Sequence, residues 1–355
     1  MTPVWRPWDR DLIRSVDGLY FTVYGYEHPP GGAACFLQYV PVPGDPGRGA
    51  KPMDYPHGGA VVETTRWLAE HYPHYVRPGR GSPLPVVPAG RVGAYFRPAE
   101  GLAGIRRRGP RDALEETLLE FTDLLARAAG IPPERLGITG SLLLGVHDPA
   151  TSDMDLAIYG REQALRAREA IVGGCLPHVT RVPPEHRARW LRRMTVHHPH
   201  SPAEALYLIE RRWHYGYYRG REFSLKAVRD PAGPPPPVPG PGRALGRVRV
   251  RGTVADAADG CFTPALYRLR DLEWAGGAPA GLAPDADLPV WSFEALYSWA
   301  FDPGQRVEVD GVLEEALAPD TGGAGPADRA GSPGSRLRVL VGTAGGAGRD
   351  GMRPL

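Results

Sequence analysis

Leu136-Gly137-Ile138-Thr139-Gly140-Ser141-Leu142-Leu143-Leu144-Gly145, followed by Ser152-Asp153-Met154-Asp155-Leu156-Ala157-Ile158-Tyr159, is the stretch on which the reading turns. Leu136 to Thr139 reads as a short buried strand, and Gly140-Ser141 opens a helical turn. Asp153 comes 12 positions after Ser141, at the start of the next apolar strand. Each part has a physical use. Glycine lets the backbone approach a phosphate, and the start of a helix points N–H groups at an anion. The Ser141 hydroxyl adds a donor. In a strand, residues i and i+2 face one side, so Asp153 and Asp155 aim at one place while Met154 and Leu156 pack behind. Paired carboxylates on a rigid strand suit Mg²⁺, which binds through one or two carboxylates plus substrate phosphates. With a third acid, two ions about 4 Å apart can clamp an in-line displacement.

Outward from this stretch, the spacing of Leu114, Leu118, Phe121, Leu124 and Leu125 predicts a helix from Pro110 to Gly130, with Asp112, Glu115 and Glu116 in its first turns. Helices are expected at 161–172, 184–194 and 202–213, and a strand at 222–228. Strands alternating with helices indicate an α/β arrangement. On the N-terminal side, Leu19–Tyr26 and Ala34–Val40 read as a hairpin, and Val61–His71 as a short helix. Residues 77–110, rich in Arg, Gly and Pro, read as irregular surface.

The run Pro231 to Gly242 is a Pro-rich linker that favours extended polyproline II. Beyond it, Arg247–Val254, Arg306–Asp310 and Arg336–Val341 alternate as strands, predicting an all-β, barrel-like domain with loops at 275–285 and 318–335. The expected divisions are an N-terminal α/β domain at 1–110, a central domain at 111–230, the linker at 231–242 and a C-terminal β-domain at 243–355. The 46 Gly and 40 Pro, about a quarter of the 355 residues, are thereby assigned to turns, linkers and loops. No Gly-X-Y period is present, which excludes collagen.

With 42 % hydrophobic and 23 % charged residues the chain has the means to build a core. The net charge of +2 excludes a globally basic nucleic-acid coat. Lysine occurs only at Lys51 and Lys226, which reads as compositional bias toward arginine. Cys35, Cys175 and Cys261 lie far apart, against a zinc ribbon or a disulfide scaffold. Met1–Arg6 carries no signal-peptide pattern, and no apolar run of membrane-spanning length exists. A cytoplasmic protein with no membrane partner is expected.

The pattern Thr139-Gly140-Ser141, Gly145, Ser152-Asp153-Met154-Asp155-Leu156 resembles the signature of the DNA-polymerase-beta-like nucleotidyltransferase superfamily. The resemblance is specific over about 25 residues and extends by element order to 111–230. The whole chain also resembles prokaryotic predicted nucleotidyltransferases that carry this domain between additional N- and C-terminal domains. The resemblance implies an α+β fold with a mixed central sheet and Mg²⁺-dependent transfer of a nucleoside monophosphate from an NTP such as ATP, with release of pyrophosphate. It implies that Gly140, Ser141 and Gly145 hold the triphosphate and that Asp153 and Asp155 ligate Mg²⁺. Small members of the superfamily carry Ala-Arg-Gly where Leu143-Leu144-Gly145 stands, so a basic phosphate contact is missing here. The third acid is expected on the strand Arg221–Val228, with Glu222 as candidate catalytic base; a register that sets Ser224 there removes the base.

Weaker signals carry two readings each. Arg211 and Arg212 precede Trp213, Tyr215 and Tyr217; they either clamp a triphosphate or end a helix before a buried aromatic turn. His197-His198-Pro199-His200 reads as a polar loop rather than a zinc site, and His147-Asp148 as a self-satisfied loop. Arg187, Arg189, Arg192 and Arg193 read as a solvated helical face, with an RNA contact as the alternative. Arg247, Arg249 and Arg251, with Trp291 to Phe301, fit ordinary surface arginines over an aromatic core, with an OB-like nucleic-acid platform as the alternative.

The expected function is therefore an Mg²⁺-dependent nucleotidyltransferase acting on an RNA or protein acceptor. One alternative is a non-catalytic nucleotide- or nucleic-acid-binding protein of the same fold. Another is an antitoxin-type adenylyltransferase, against which the chain length counts.

Overall fold

In the computed structural model, residues 5–42, 45–50, 60–79, 83–279, 287–317, 337–343 and 348–355 are described. Among them the chain is mixed α+β, with three sheets and seven α-helices. It divides into two units, Met1–Arg189 with Arg212–Pro236, and Trp190–Arg211 with Pro237–Leu355.

The first unit begins with an antiparallel sheet. Its strands are β1 (Leu12–Ser15), β2 (Tyr20–Val23), β3 (Gly32–Val42), β4 (Asp45–Ala50), β5 (Val76–Pro78), β6 (Pro83–Pro88) and β7 (Val92–Phe96). The order is β5-β6-β3-β2-β1-β7, with β4 on β3. The expected hairpin is β2–β3, in register Thr22↔Phe36. Helix α1 (Ala60–His71) covers one face, where Leu68 joins Ile13, Phe21, Leu37, Tyr75 and Val87 in a core. Every strand pair in this sheet is antiparallel, so the expected α/β character of this segment gives way to a sheet with a covering helix. The reading of 77–110 as irregular surface is also corrected. Pro83, Pro85 and Pro88 lie in β6, between β3 and the three-residue edge strand β5, and Val86 and Val87 are fully buried. Burial of the two valines there overrides the prolines' local bias. Residues 98–108 form α2 (Pro98–Arg108), with Pro98 in its first turn.

The second sheet carries the stretch quoted at the outset. Helix α3 (Ala113–Ala129) is capped by the Asp112 carboxylate, which accepts from the Leu114 and Glu115 N–H groups at 2.9 and 3.0 Å. It stops at Gly130, in the left-handed region at φ 61°. Its buried stripe is Leu114, Leu118, Phe121 and Leu125. The elements that follow are β8 (Leu136–Ile138), α4 (Gly140–Leu144), β9 (Met154–Tyr159), α5 (Arg161–Val172), β10 (Val179–Arg181), α6 (Pro184–His197), α7 (Pro202–Glu210), β11 (Tyr215–Tyr218) and β12 (Arg221–Val228). The sheet order is β10-β11-β12-β9-β8. Only β12 and β9 run parallel; the other pairs are antiparallel. Phe121 packs on Tyr218 and Phe223, with ring centroids 5.0 and 4.6 Å away. The aromatic run Tyr215–Tyr218, one of whose readings was a buried turn, is strand β11.

The second unit contains α7, the Trp190–His197 part of α6, and strands β13 (Gly242–Asp259), β14 (Ala265–Trp274), β15 (Leu288–Ser292), β16 (Arg306–Ala316), β17 (Leu337–Val341) and β18 (Gly351–Pro354). The order β13-β14-β15-β17-β16-β18, with an additional β13–β16 pairing, closes five strands into a ring and leaves β18 beside β16. Met194, Leu208 and Ile209 share its core with Val250, Tyr267, Val290 and Val309, so helices belong to a unit expected to be all-β. The Pro-rich run forms no helix or strand before Gly242, and its end is held by Arg338, whose guanidinium donates to the Pro239 and Gly240 carbonyls. The expected loops at 275–285 and 318–335 fall largely on residues 280–286 and 318–336, outside the described residues. No helix among the described residues is long and apolar enough to cross a membrane.

Candidate active site

The apolar alternation of β9 fixes its orientation. Met154 and Leu156 are fully buried, while Asp155 is half-buried and Asp153 exposed. Strand β8 pairs antiparallel with β9, Ile138 opposite Leu156, and the Thr139 N–H donates to the Asp155 carbonyl at 2.9 Å. This pairing delivers Gly140 directly over Asp155. Gly140 has φ +63°, and a Cβ built there would lie 2.9 Å from Asp155 Oδ2. Backbone conformation and space both therefore require glycine at this position. Helix α4 has only five residues and ends at Gly145, in the left-handed region at φ 68°. One turn supplies a few N–H groups but little of a long helix's dipole.

Strand β12 supplies the neighbouring row. Ser224 lies opposite Asp155, and its Oγ donates to Asp155 Oδ1. Residues 222, 224 and 226 share one face by strand alternation, so Glu222 stands level with Asp153 one residue beyond the Phe223↔Met154 pair. The register thus sets Ser224 beside Asp155 and Glu222 beside Asp153. The Glu222 carboxylate also accepts from the Tyr217 hydroxyl at 3.1 Å, and His186 Nδ1 lies 2.5 Å from that hydroxyl.

Strand β11 continues the face, with Tyr215 opposite Ser224 and Tyr217 opposite Glu222. Lys226 Nζ donates to the Tyr215 hydroxyl and lies 4.2 Å from that ring's centroid. The Arg212 guanidinium carbon lies 4.3 Å from the same centroid. Burial acts to raise the Tyr215 phenol, but the charges of Lys226 and Arg212 outweigh it and bring it down to about 8. Arg10, half-buried and ion-paired with Asp9 at 3.5 Å, adds its positive charge near Tyr215.

A residue that sequence reasoning missed is Tyr39 of β3. It is buried, its hydroxyl interacts with the Gln38 and Ser141 side chains, and burial together with the Asp155 and Asp153 charges pushes it up to about 12. The N-terminal sheet thus supplies a side chain at the Asp-x-Asp pair. Only the β2–β3 hairpin was legible in the sequence; its contact with residues a hundred positions away was not.

Arg211 and Arg212, adjacent in sequence, part company. Arg211 ends α7 in the second unit, where it ion-pairs with Asp302 and stacks on Tyr207 at 5.4 Å. Arg212 belongs to the first unit, beside Tyr215. Of the two expected nucleotide-binding arginines, Arg211 is thus engaged with Asp302 and Tyr207, and Arg212 with the Tyr215 ring.

Asp112, Glu115 and His147 have ligand atoms within 4.8 Å of one another. Their chemistry is already spent: Asp112 caps α3 and contacts His147 Nε2 at 2.8 Å, and Glu115 binds the Arg108 guanidinium and the Arg111 N–H. His147 is thus a fastening of the 145–152 loop. Asp148 caps its own turn, accepting from the Ala150 N–H at 2.8 Å. In the second unit His200 is buried against the Tyr297 hydroxyl at 2.8 Å, which makes it a packing residue rather than part of a polar loop.

The donor set at the Asp-x-Asp strand consists of hard carboxylate oxygens, which fit Mg²⁺ or Mn²⁺ better than a soft-ligand metal. Asp153 and Asp155 are the residues that would hold such an ion. Its chemistry there would be that of a Lewis acid, neutralising negative charge on a bound oxygen.

No family model matches the chain. An uncharacterized protein of Methanocaldococcus jannaschii, MJ1086, is 29% identical over 171 residues, 46% of this chain and 50% of that protein. The chain therefore spans about half the length of this curated relative.

Proposed function

We propose that the chain is a divalent-cation-dependent nucleotidyltransferase with a polymerase-beta-like core, acting in the cytoplasm on an RNA or protein acceptor. One observation carries this reading: Gly140, at a φ only glycine adopts readily, sits against the Asp155 carboxylate, with the next side chain, Ser141, at the Tyr39 hydroxyl, which feels the charges of Asp155 and Asp153. That arrangement joins a close backbone approach for a phosphate to a pair of carboxylates for the cation.

In the reaction, an acceptor oxygen bonds to the α-phosphorus of the NTP and the bond from that phosphorus to the bridging oxygen breaks. Diphosphate leaves with the electron pair, and the acceptor's proton passes to a base. Gly140 and Ser141 would orient the phosphate chain. Asp153 and Asp155 would hold the cation, and Glu222 is the carboxylate positioned beside them to take the proton. Catalysis of this kind is mostly positioning and electrostatic stabilisation.

A specific observation favours a second reading. Ser224, not a carboxylate, faces Asp155, and Glu222 is engaged by Tyr217. A chain that binds nucleotide without turning it over accommodates both facts. The test is incubation of the full chain with NTPs labelled at the α-phosphate, Mg²⁺ or Mn²⁺, and RNA or protein acceptors. Incorporation that disappears in Asp153→Asn and Asp155→Asn supports transfer. Cation-dependent NTP binding without incorporation supports the second reading, and absence of both refutes the two together.

A further inference from the structure

Glu222 ends a line of three side chains drawn from three elements. Tyr217 lies opposite Glu222 across the β11–β12 pair and opposite Thr180 across the β10–β11 pair. Strand β10 ends at Arg181, and after the buried Val182 and Pro183 the chain turns into α6 at Pro184. His186 therefore falls in the first turn of α6, its ring centroid 5.7 Å from that of Tyr217. A phenol has one proton to give. Burial, then the charge of Glu222 and the hydrogen bond to it, pushes the Tyr217 phenol up to about 12, with Arg189 opposing and Glu185 adding to the rise. Tyr217 thus keeps its proton and donates it to Glu222 Oε2 at 3.1 Å. The 2.5 Å contact with His186 Nδ1 then has one assignment: Nδ1 carries a hydrogen and donates to the phenol oxygen. Engagement by Tyr217 takes one Glu222 oxygen, and Oε1 has no protein partner among the described residues.

Resting on the nucleotidyltransferase reading, we propose that His186 and Tyr217 are positioning residues for the base: His186 Nδ1–H fixes the phenol, and the phenol holds one Glu222 oxygen so that the other takes the proton of the acceptor hydroxyl. The arrangement is that of a base whose own orientation is set by a third group. In the step, the acceptor O–H bond breaks as its oxygen bonds to phosphorus, the proton passes to Glu222 Oε1, and diphosphate leaves with the electron pair. Neither His186 nor Tyr217 gains or loses a proton. A glutamate tethered by nothing else samples several rotamers, and holding it in one removes that loss from the reaction. The line also has a direction. A donor in place of the Glu222 oxygen turns the phenol round toward His186, whose Nδ1 must then accept.

Two measurements on the full-length protein test this. The first needs no substrate: nitrogen-15 NMR of the histidine rings at about pH 8.5, where imidazoles are ordinarily neutral, with the His186 signal assigned by its absence in His186→Asn. Wild-type protein shows His186 protonated at Nδ1. Glu222→Gln, whose amide donates to the phenol, moves His186 to the Nε2–H form through Tyr217. An Nε2–H ring in wild type, or a ring unmoved by Glu222→Gln, overturns the line of donors. The second is incorporation of NTP labelled at the α-phosphate. Tyr217→Phe lowers kcat about tenfold or more, a share of the roughly 100- to 10,000-fold that a placed base supplies, while KM for the NTP and Mn²⁺ affinity stay at wild-type values. His186→Ala loses kcat in the same way, and His186→Asn, whose amide N–H takes the place of Nδ1–H, recovers most of it. Undiminished kcat in a folded Tyr217→Phe overturns the positioning role and leaves the transferase reading intact. The expected tautomers in a wild-type chain that incorporates no NTP keep the line of donors and remove the transferase reading, and the base's role with it. Where Tyr217→Phe fails to fold, seen by circular dichroism, the two His186 variants decide: recovery in His186→Asn supports the role, and an equal loss in both overturns it.

Discussion

Replacing Gly140 by alanine separates backbone strain from displacement of the Asp155 carboxylate. Gly140 and Gly130 have nearly the same positive φ, +63° and +61°. A Cβ at Gly130 meets only Arg166 Nη1 at 3.7 Å, an ordinary contact, whereas at Gly140 it meets Asp155 Oδ2 at 2.9 Å. Both alanine variants carry the left-handed penalty of about 1–2 kcal/mol. Gly140→Ala must in addition turn Asp155, whose other oxygen accepts from Ser224. Rotating it off its staggered position costs about 0.5–1.5 kcal/mol, and loosening the hydrogen bond about 1 kcal/mol. Gly140→Ala should therefore be less stable than wild type by about 2.5–4.5 kcal/mol and Gly130→Ala by about 1–2 kcal/mol. At about 2–4 °C per kcal/mol for a unit of this size, the two melting temperatures differ by several degrees. The functional contrast is larger. A cation ligand moved by a fraction of an ångström weakens Mn²⁺ binding and, at about 100-fold per 1 Å of misplacement, cuts transfer at least tenfold. Gly130→Ala leaves both intact. Thermal melts, Mn²⁺ titration and labelled-NTP incorporation read the three quantities. Wild-type Mn²⁺ affinity and turnover in a folded Gly140→Ala would refute the reasoning, because they would mean that Asp155 does not need the position it holds.

Phe121→Ala empties the place between Tyr218 and Phe223 and should destabilise the first unit by about 3–5 kcal/mol in urea melts. Arg338→Met strips the buried Glu314 carboxylate of its guanidinium, for a loss of about 3–5 kcal/mol, and the double variant with Glu314→Leu should recover much of it. A double variant no more stable than the single one would contradict that account. His200 lies mainly under the influence of burial, then of His198 and Arg353 against an opposing Glu204, and is brought down to about 4. Its folded value lies below its unfolded one, so its contribution is present above about pH 6.5 and is lost as pH falls toward 4. His200→Gln, which keeps a side-chain partner for the Tyr297 hydroxyl, should flatten that acid-side slope in stability measured across the range. An unchanged slope would remove His200 as its source.

What was legible in the sequence follows the length and strength of each period. Helix α3 shows a clean apolar stripe and an Asp112 cap, and β9 is an almost continuous apolar run because both its faces are covered. Strands β6 and β7 were hidden, because Pro83, Pro85 and Pro88 read as breakers until a neighbouring strand is present to pair with them. At the candidate site, Gly140, Asp153 and Asp155 were visible because a strand-turn-strand unit holds its chemistry within 16 residues. Tyr39 was not, because its approach depends on packing between sheets distant in sequence. Arg211 and Arg212 looked like a unit for the opposite reason: adjacency in sequence says nothing when a helix ends between them and the chain turns.

The same distinction between sequence pattern and paired charge applies to the arginines of the second unit. Arg247, Arg249 and Arg251 alternate along β13 and suggest a basic platform for a polyanion. In the folded chain Arg249 binds Asp310, Arg251 binds Glu308, and Arg247 binds Asp350. Arg353 adds a second guanidinium to the Glu308 and Asp310 group. A phosphate backbone docking on this stripe would have to displace carboxylates that the arginines already hold, and the net field it meets is small. Of the aromatic cluster read as a platform for bases, Trp291, Tyr297 and Phe301 are buried, and Phe293 and Trp299 are half-buried. These arginines are accounted for as fastenings between β13, β16 and β18. Lys226 differs from them in kind, since among the described residues it has a phenol and a ring for company and no carboxylate. A cation held by a phenol and a ring is where the sequence's near-neutral total says least and the local arrangement says most.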